Sequence, residues 1–84
     1  MNDEFHIASL VVQTLPSNVH SVQEAIARLG GAEIKAVTIG GQIIVLLETK
    51  SEAEFLMRFD EIEHLHGVAS VMLVFHQVET VGSG

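Results

Sequence analysis

The sequence predicts an α+β sandwich of ferredoxin-like order β-α-β-β-α-β, with a four-stranded antiparallel sheet carrying two helices on one face. Three observations carry that expectation. Residues 5–14, 32–39, 42–49 and 68–78 form short apolar runs rich in β-branched side chains, the mark of strands. Two stretches between them repeat apolar residues every three or four positions, the mark of amphipathic helices. Glycines punctuate the elements at 30–31, 40–41 and 67. Two strand–helix–strand units with right-handed crossovers close into this sandwich and put the first and third strands at its centre.

The elements follow in order. Phe5–Thr14 holds the run Leu10-Val11-Val12, and its near-continuous apolarity predicts burial on both faces. Pro16, Ser17 and Asn18 end that strand and offer helix caps. Val19, Val22, Ile26 and Leu29 form one helical stripe, which Gly30-Gly31 stops. Ala32–Ile39 alternates Glu33, Lys35 and Val37 with Ile34, Ala36 and Thr38, the pattern of a half-exposed edge strand. Gly40-Gly41 supplies the positive φ that a tight hairpin needs. Gln42–Thr49 contains five unbroken aliphatic residues and reads as a central strand.

Ser51 and Glu54 form an S-x-x-E capping box. The helix they open is expected to bury Phe55, Leu56, Phe59 and Ile62 and to expose Glu52, Arg58, Glu61 and Glu63. Gly67 closes it. Val68–Val78 is the last strand, and Glu79–Gly84 reads as a mobile polar tail. One domain spans 1–84; a chain of 84 residues has room for only a thin core.

Composition narrows the function. Eleven acidic residues oppose Arg28, Lys35, Lys50 and Arg58 for a formal charge of −7, which repels phosphate backbones and argues against nucleic acid. Such a surface attracts cationic peptides, although net charge also serves solubility alone. Cysteine is absent, which excludes disulfides and thiolate metal sites and fits a reducing compartment. The N-terminus carries Asp3 and Glu4 with no basic region or long apolar run. That argues against a signal peptide or a membrane-spanning helix, and the expected location is the cytoplasm.

Chemistry-bearing constellations are missing. The five histidines lack ligand spacing: His64 and His66 point in different directions, and His6, His20 and His76 lie on three elements. There is no cysteine nucleophile, G-x-S-x-G or P-loop. The loop after the first strand, Thr14-Leu15-Pro16-Ser17-Asn18, has neither the arginine of acylphosphatases nor the C-x-x-C of copper carriers on this fold. No enzyme activity and no cofactor are expected.

The sheet face without helices is the candidate site. Period two sends Ala8, Leu10, Val12, Ile43, Val45 and Leu47 inward. It sends Ile7, Ser9, Val11, Gln13, Gln42, Ile44, Leu46 and Glu48 out. In the last strand, Ala69, Val71, Leu73 and Phe75 are expected in the core and Ser70, Met72, Val74 and His76 on the open face. Ile7, Val11, Ile44, Leu46, Met72 and Val74 would then form an apolar patch bordered by Ser9, Glu48 and His76, a surface that something docks on. A bound peptide and a homodimer through the same face both satisfy that pattern.

Several stretches resemble the NapD family. Ala8-Ser9-Leu10-Val11-Val12-Gln13 is similar to its opening strand, and Gly41-Gln42-Ile43-Ile44-Val45 through Glu48 to its third. Ile62-Glu63-His64-Leu65-His66-Gly67-Val68, running into Leu73-Val74-Phe75-His76-Gln77-Val78-Glu79, resembles its closing segment, with Phe75 where the family often has tyrosine. The resemblance implies a cytoplasmic chaperone that binds the twin-arginine signal peptide of NapA, the catalytic subunit of periplasmic nitrate reductase. Binding would hold back export while cofactors are inserted, with the peptide helical and Glu48 the first candidate to meet its arginines. The alternative is a small-ligand-sensing or oligomerisation domain similar to the effector domain of Lrp-type regulators, which share the element order and a helix ending in Gly-Val.

Overall fold

A computed structural model describes residues 2–82 of the chain. Its elements are β1 (Asn2–Thr14), α1 (Val19–Ala27), β2 (Ala32–Val37), β3 (Gln42–Thr49), α2 (Glu52–Glu63) and β4 (Val68–Gly82), with a 3-10 turn at Pro16–Asn18 before α1. The strands lie in the order β2-β3-β1-β4, antiparallel throughout, so β1 and β3 are central. This is the expected ferredoxin-like sandwich.

Alternation on the central strands decides where the core sits. His6, Ala8, Leu10, Val12 and Thr14 of β1 are buried, as are Ile43, Val45, Leu47 and Thr49 of β3. Val22 and Ile26 of α1 and Phe55 and Ile62 of α2 close over them. β1 was expected to be buried on both faces, but its other side chains are only half covered, because both helices lie on one side. The three buried polar residues all have partners. Thr14 Oγ1 donates to the Gly41 carbonyl at 3.0 Å, Thr49 Oγ1 donates to the Ser51 carbonyl at 3.3 Å, and His6 is bonded through its ring.

The helices depart from expectation at specific residues. Ser51 caps α2 by accepting from the Glu54 N–H at 3.1 Å, one half of the expected capping box, while the Glu54 carboxylate turns to the Lys50 N–H at 3.5 Å and not to that of Ser51. Leu56, expected inside, is 56% exposed. Phe55, Phe59 and Ile62 already define the buried stripe at i, i+4 and i+7, and one residue past Phe55 is about 100° around the helix. Arg58, expected outside, is half-buried: its Nε donates to the Gly30 carbonyl at 3.1 Å and its Nη1 meets Glu61 Oε1 at 2.9 Å, tying α2 to the end of α1. Neither Ser17 nor Asn18 caps α1 with its side chain. β4 continues in register with β1 to Gly82, beyond the Val78 boundary read from polarity; residues 83–84 of the expected tail lie outside the described residues. Polar side chains here sit on an exposed ribbon, where backbone pairing with β1 holds the strand.

Gly31 is a tight point. Its φ is +81°, its carbonyl accepts from the Glu48 N–H at 2.8 Å, and a Cβ there would run into the Glu48 carbonyl. Gly31→Ala is expected to destabilise the fold by about 2 kcal/mol or more, whereas Gly40→Ala, whose Cβ meets only the Thr38 hydroxyl at 4.0 Å, changes it by less than about 0.5 kcal/mol. Urea midpoints check both.

His64 ends α2. Its Nδ1 lies 2.8 Å from the Asp60 carbonyl and 3.3 Å from the Asp60 carboxylate, and that hydrogen bond, then that charge, raise its pKa above 6.5. Stabilisation from protonated His64 is therefore full below pH 6.5 and is lost as pH rises through the raised value. NMR titration should place its pKa above 6.5, and Asp60→Asn should lower it without abolishing the shift, because the backbone acceptor stays.

Candidate functional site

Directly paired residues in an antiparallel sheet share a face, so the register assigns the open surface. Ile7 lies opposite Glu48, Ser9 opposite Leu46, Val11 opposite Ile44 and Gln13 opposite Gln42. These are the residues the alternation placed there. On the β4 side, Ile7 pairs with Gln77, Ser9 with Phe75, Val11 with Met72 and Gln13 with Ser70.

A bulge changes phase within β4. Ser9 pairs with Phe75 while Leu10 pairs with Leu73, leaving Val74 as an extra residue without a partner. Phe75, expected in the core, therefore stands on the open face beside Ser9 and is 49% exposed. His76, expected on the open face, is instead opposite buried Ala8, on the helix side. Its ring stacks on Phe55 with centroids 4.5 Å apart. Val74 itself is 60% exposed at the bulge. A second register break leaves Ala69, also expected inside, unpaired and exposed. Strict alternation from Val68 to Val78 misses both breaks, and with them Phe75, the largest apolar side chain that β4 gives to the open face.

The helix side of the bulge is held by a polar chain. Glu4 Oε1 lies 3.1 Å from His6 Nε2, and His6 Nδ1 lies 3.1 Å from His76 Nε2. A carboxylate only accepts, so His6 donates to Glu4 through Nε2, and the tautomers of the two rings set the direction of the His6–His76 bond. His76 thus lies on the helix side, still exposed, while its neighbour Phe75 faces the open side.

The open face changes character along the strands. Gln13, Gln42 and Ser70 form a neutral end. Val11, Ile44, Met72, Leu46 and Phe75 make an apolar centre around Ser9. Beyond Ile7 the register brings Glu48, and then Glu79 opposite Phe5, onto the same face, with Glu33 opposite Leu46 at the β2 side. Glu33 shares its charge with Lys35 at 3.4 Å, an exposed pair worth little. A hollow of about 530 Å³ opens at this acidic end, lined by Phe5, Glu33, Glu48, Lys50 and Glu54 among others. Among the described residues no group of three or more His, Cys, Asp or Glu is placed to hold a metal ion, and no helix is long and apolar enough to cross a membrane. What the face offers is an apolar platform with carboxylates at one end, suited to an amphipathic or cationic chain.

A family model described as NapD protein matches residues 5–80. The chaperone NapD of Escherichia coli K12 is 26% identical over 83 residues, covering 98% of this chain and 95% of that protein. The chaperone NapD of Paracoccus pantotrophus is 34% identical over 73 residues, covering 87% of this chain and 64% of that one. The solution structure of the E. coli Tat proofreading chaperone protein NapD superposes with a TM-score of 0.81 at 26% identity, over 87% of this chain and 78% of that chain.

The phase change has a measurable consequence. Phe75→Ala should cost less than about 1 kcal/mol, because the ring is half in water, whereas Phe55→Ala should cost about 3–5 kcal/mol. Equal losses in denaturant unfolding would return Phe75 to the core.

Proposed function

The chain belongs to the NapD family of chaperones, which are not enzymes, and from that premise we propose that its open sheet face binds the twin-arginine signal peptide of NapA, the catalytic subunit of periplasmic nitrate reductase. Binding takes place in the cytoplasm and holds back export while the cofactors of that subunit are inserted. The observation that carries this reading is the graded face: an apolar centre of Val11, Ile44, Leu46, Met72 and Phe75 running into Glu48 and Glu79.

A twin-arginine signal peptide joins a cationic segment to an apolar one, and the face repeats that division along its strands. The apolar stretch, as a helix, lies over the centre, where each fully buried side chain contributes roughly 1.5–3 kcal/mol. Ile7, Ser9, Val11, Ile44, Leu46 and Met72 form the floor, Val74 the rim beside the bulge, and Glu48 meets the arginines with Glu79 and Glu33 nearby. His76 contributes by holding the bulge that presents Phe75. The carboxylates supply orientation and on-rate more than affinity, since they are exposed and screened by salt.

Calorimetric titration with the NapA signal peptide tests this. Leu46→Glu is expected to weaken binding about a hundredfold or more with the fold intact by circular dichroism, because Leu46 is only half covered. Replacing both peptide arginines by alanine should weaken binding by about tenfold and flatten its salt dependence. Absence of binding at low salt, or full affinity in Leu46→Glu, overturns the proposal.

A further inference from the structure

The sheet has two rims, and they are built differently. β2 is six residues long, breaks register around Lys35 and carries exposed Glu33 and Lys35, devices that discourage another strand from adding. β4 has fifteen residues with no proline, lysine or arginine, and Glu79 is its single formal charge. Both of its register breaks fall in its first half, so Phe75–Gly82 pairs with β1 without interruption and presents a straight free edge. Val78 is 51% exposed on the helix side of that stretch. Phe75 and Val81 are exposed on the open side.

We infer that this edge pairs with itself, joining two copies of the chain antiparallel about a two-fold axis through Val78. An axis perpendicular to the sheet keeps open face beside open face, so each register is centred on one residue. Centring on Val78 sets Phe75 against Val81 of the second copy, Gln77 against Glu79, His76 against Thr80 and Val78 against Val78. Apolar groups meet apolar groups, and an amide meets a carboxylate. Moving the centre to Gln77 places Phe75 against Glu79, and moving it to Glu79 sets two carboxylates face to face, a destabilising cross-strand pair. Centres nearer the N-terminus run into the bulge at Val74. A centre at Thr80 sets Glu79 against Val81 and Val78 against Gly82, so the stretch is its own complement in one register, which is why the occupant is a second copy rather than an unrelated strand. The product is an eight-stranded sheet whose open faces lie on one side. Because each copy carries −7, its assembly strengthens as salt screens the repulsion, opposite in sign to capture of a cationic peptide.

The chain lacks cysteine, so single-cysteine variants of the full chain read out the register. Val78→Cys, Val81→Cys and Leu46→Cys are oxidised in parallel, and sedimentation of the wild type follows association with concentration and salt. The expected result is a reversible dimer strengthened by salt. Val78→Cys should cross-link at least tenfold faster than the other two, since only identical residues on the axis lie directly opposite each other. Val81→Lys, which sets a charge against Phe75, should weaken the dimer about tenfold or more. A native circular dichroism spectrum of reduced Val78→Cys excludes misfolding as the source of the cross-link. A wild type that stays monomeric at the highest concentration overturns the inference, as does fastest cross-linking at Leu46, which marks a face-to-face dimer, or at Val81.

Discussion

Two short helices cover one face of a four-stranded sheet and no more. Everything else in this molecule depends on how the uncovered surface is managed. On the covered side, β1 and β3 alternate strictly, and their inward residues from His6 to Thr14 and from Ile43 to Thr49 are buried with every polar group among them partnered. On the other side the same strands present Ile7, Val11, Ile44 and Leu46, which water covers only in part. A chain this small has little apolar surface to spare, and it leaves a share of it outside the core. That placement costs stability, and the proposed docking of another chain on this face offsets the cost.

The bulge at Val74 links the two sides. Without it, alternation along β4 carries Phe75 into the core and His76 onto the open face. With it, His76 reaches His6 and stacks on Phe55, the helix-side end of the sheet closes with a polar chain from Glu4, and Phe75 joins the apolar platform. One inserted residue thus adds an aromatic ring to the surface and a histidine to the covered side. Bulges re-aim side chains in this manner wherever a strand serves both a core and a site.

Charge is distributed with the same economy. The acidic excess does not ring the apolar centre; Glu48 and Glu79 gather toward the end where the β1–β4 ribbon extends past β3, while Gln13, Gln42 and Ser70 keep the opposite end neutral. A gradient of this sort gives an elongated ligand a direction. The rims add a second division: β2 is guarded by charge and a register break, whereas the distal half of β4 is left able to accept a strand. The proposed peptide site and the proposed self-pairing edge share the side chains of Phe75 and Glu79, but the first rests on the rest of the open face and the second on the free backbone of the rim.

Much of this was legible in the residues. The element order, the central position of β1 and β3, the Ser51 cap of α2, and the outward set from Ile7 to Glu48 all follow from local spacing, because alternation is locked once a strand is straight and its neighbours are antiparallel. The resemblance to the NapD family likewise came from short runs in order. Leu56 is exposed although its spacing points inside, since an apolar residue next to a complete helical stripe looks like part of it. Arg58 is half-buried against its local pattern because its acceptor, the Gly30 carbonyl, lies in the turn between α1 and β2. The assignments of Phe75 and His76 required tertiary structure for the same reason. A bulge is a mismatch between two strands, so it is written in neither alone, and whether β4 skips a residue depends on His6 and Phe55, far away in sequence. Sequence determined which strands make the sheet and which face stays open. Only the pairing of β4 with β1 decided which of its side chains that face displays.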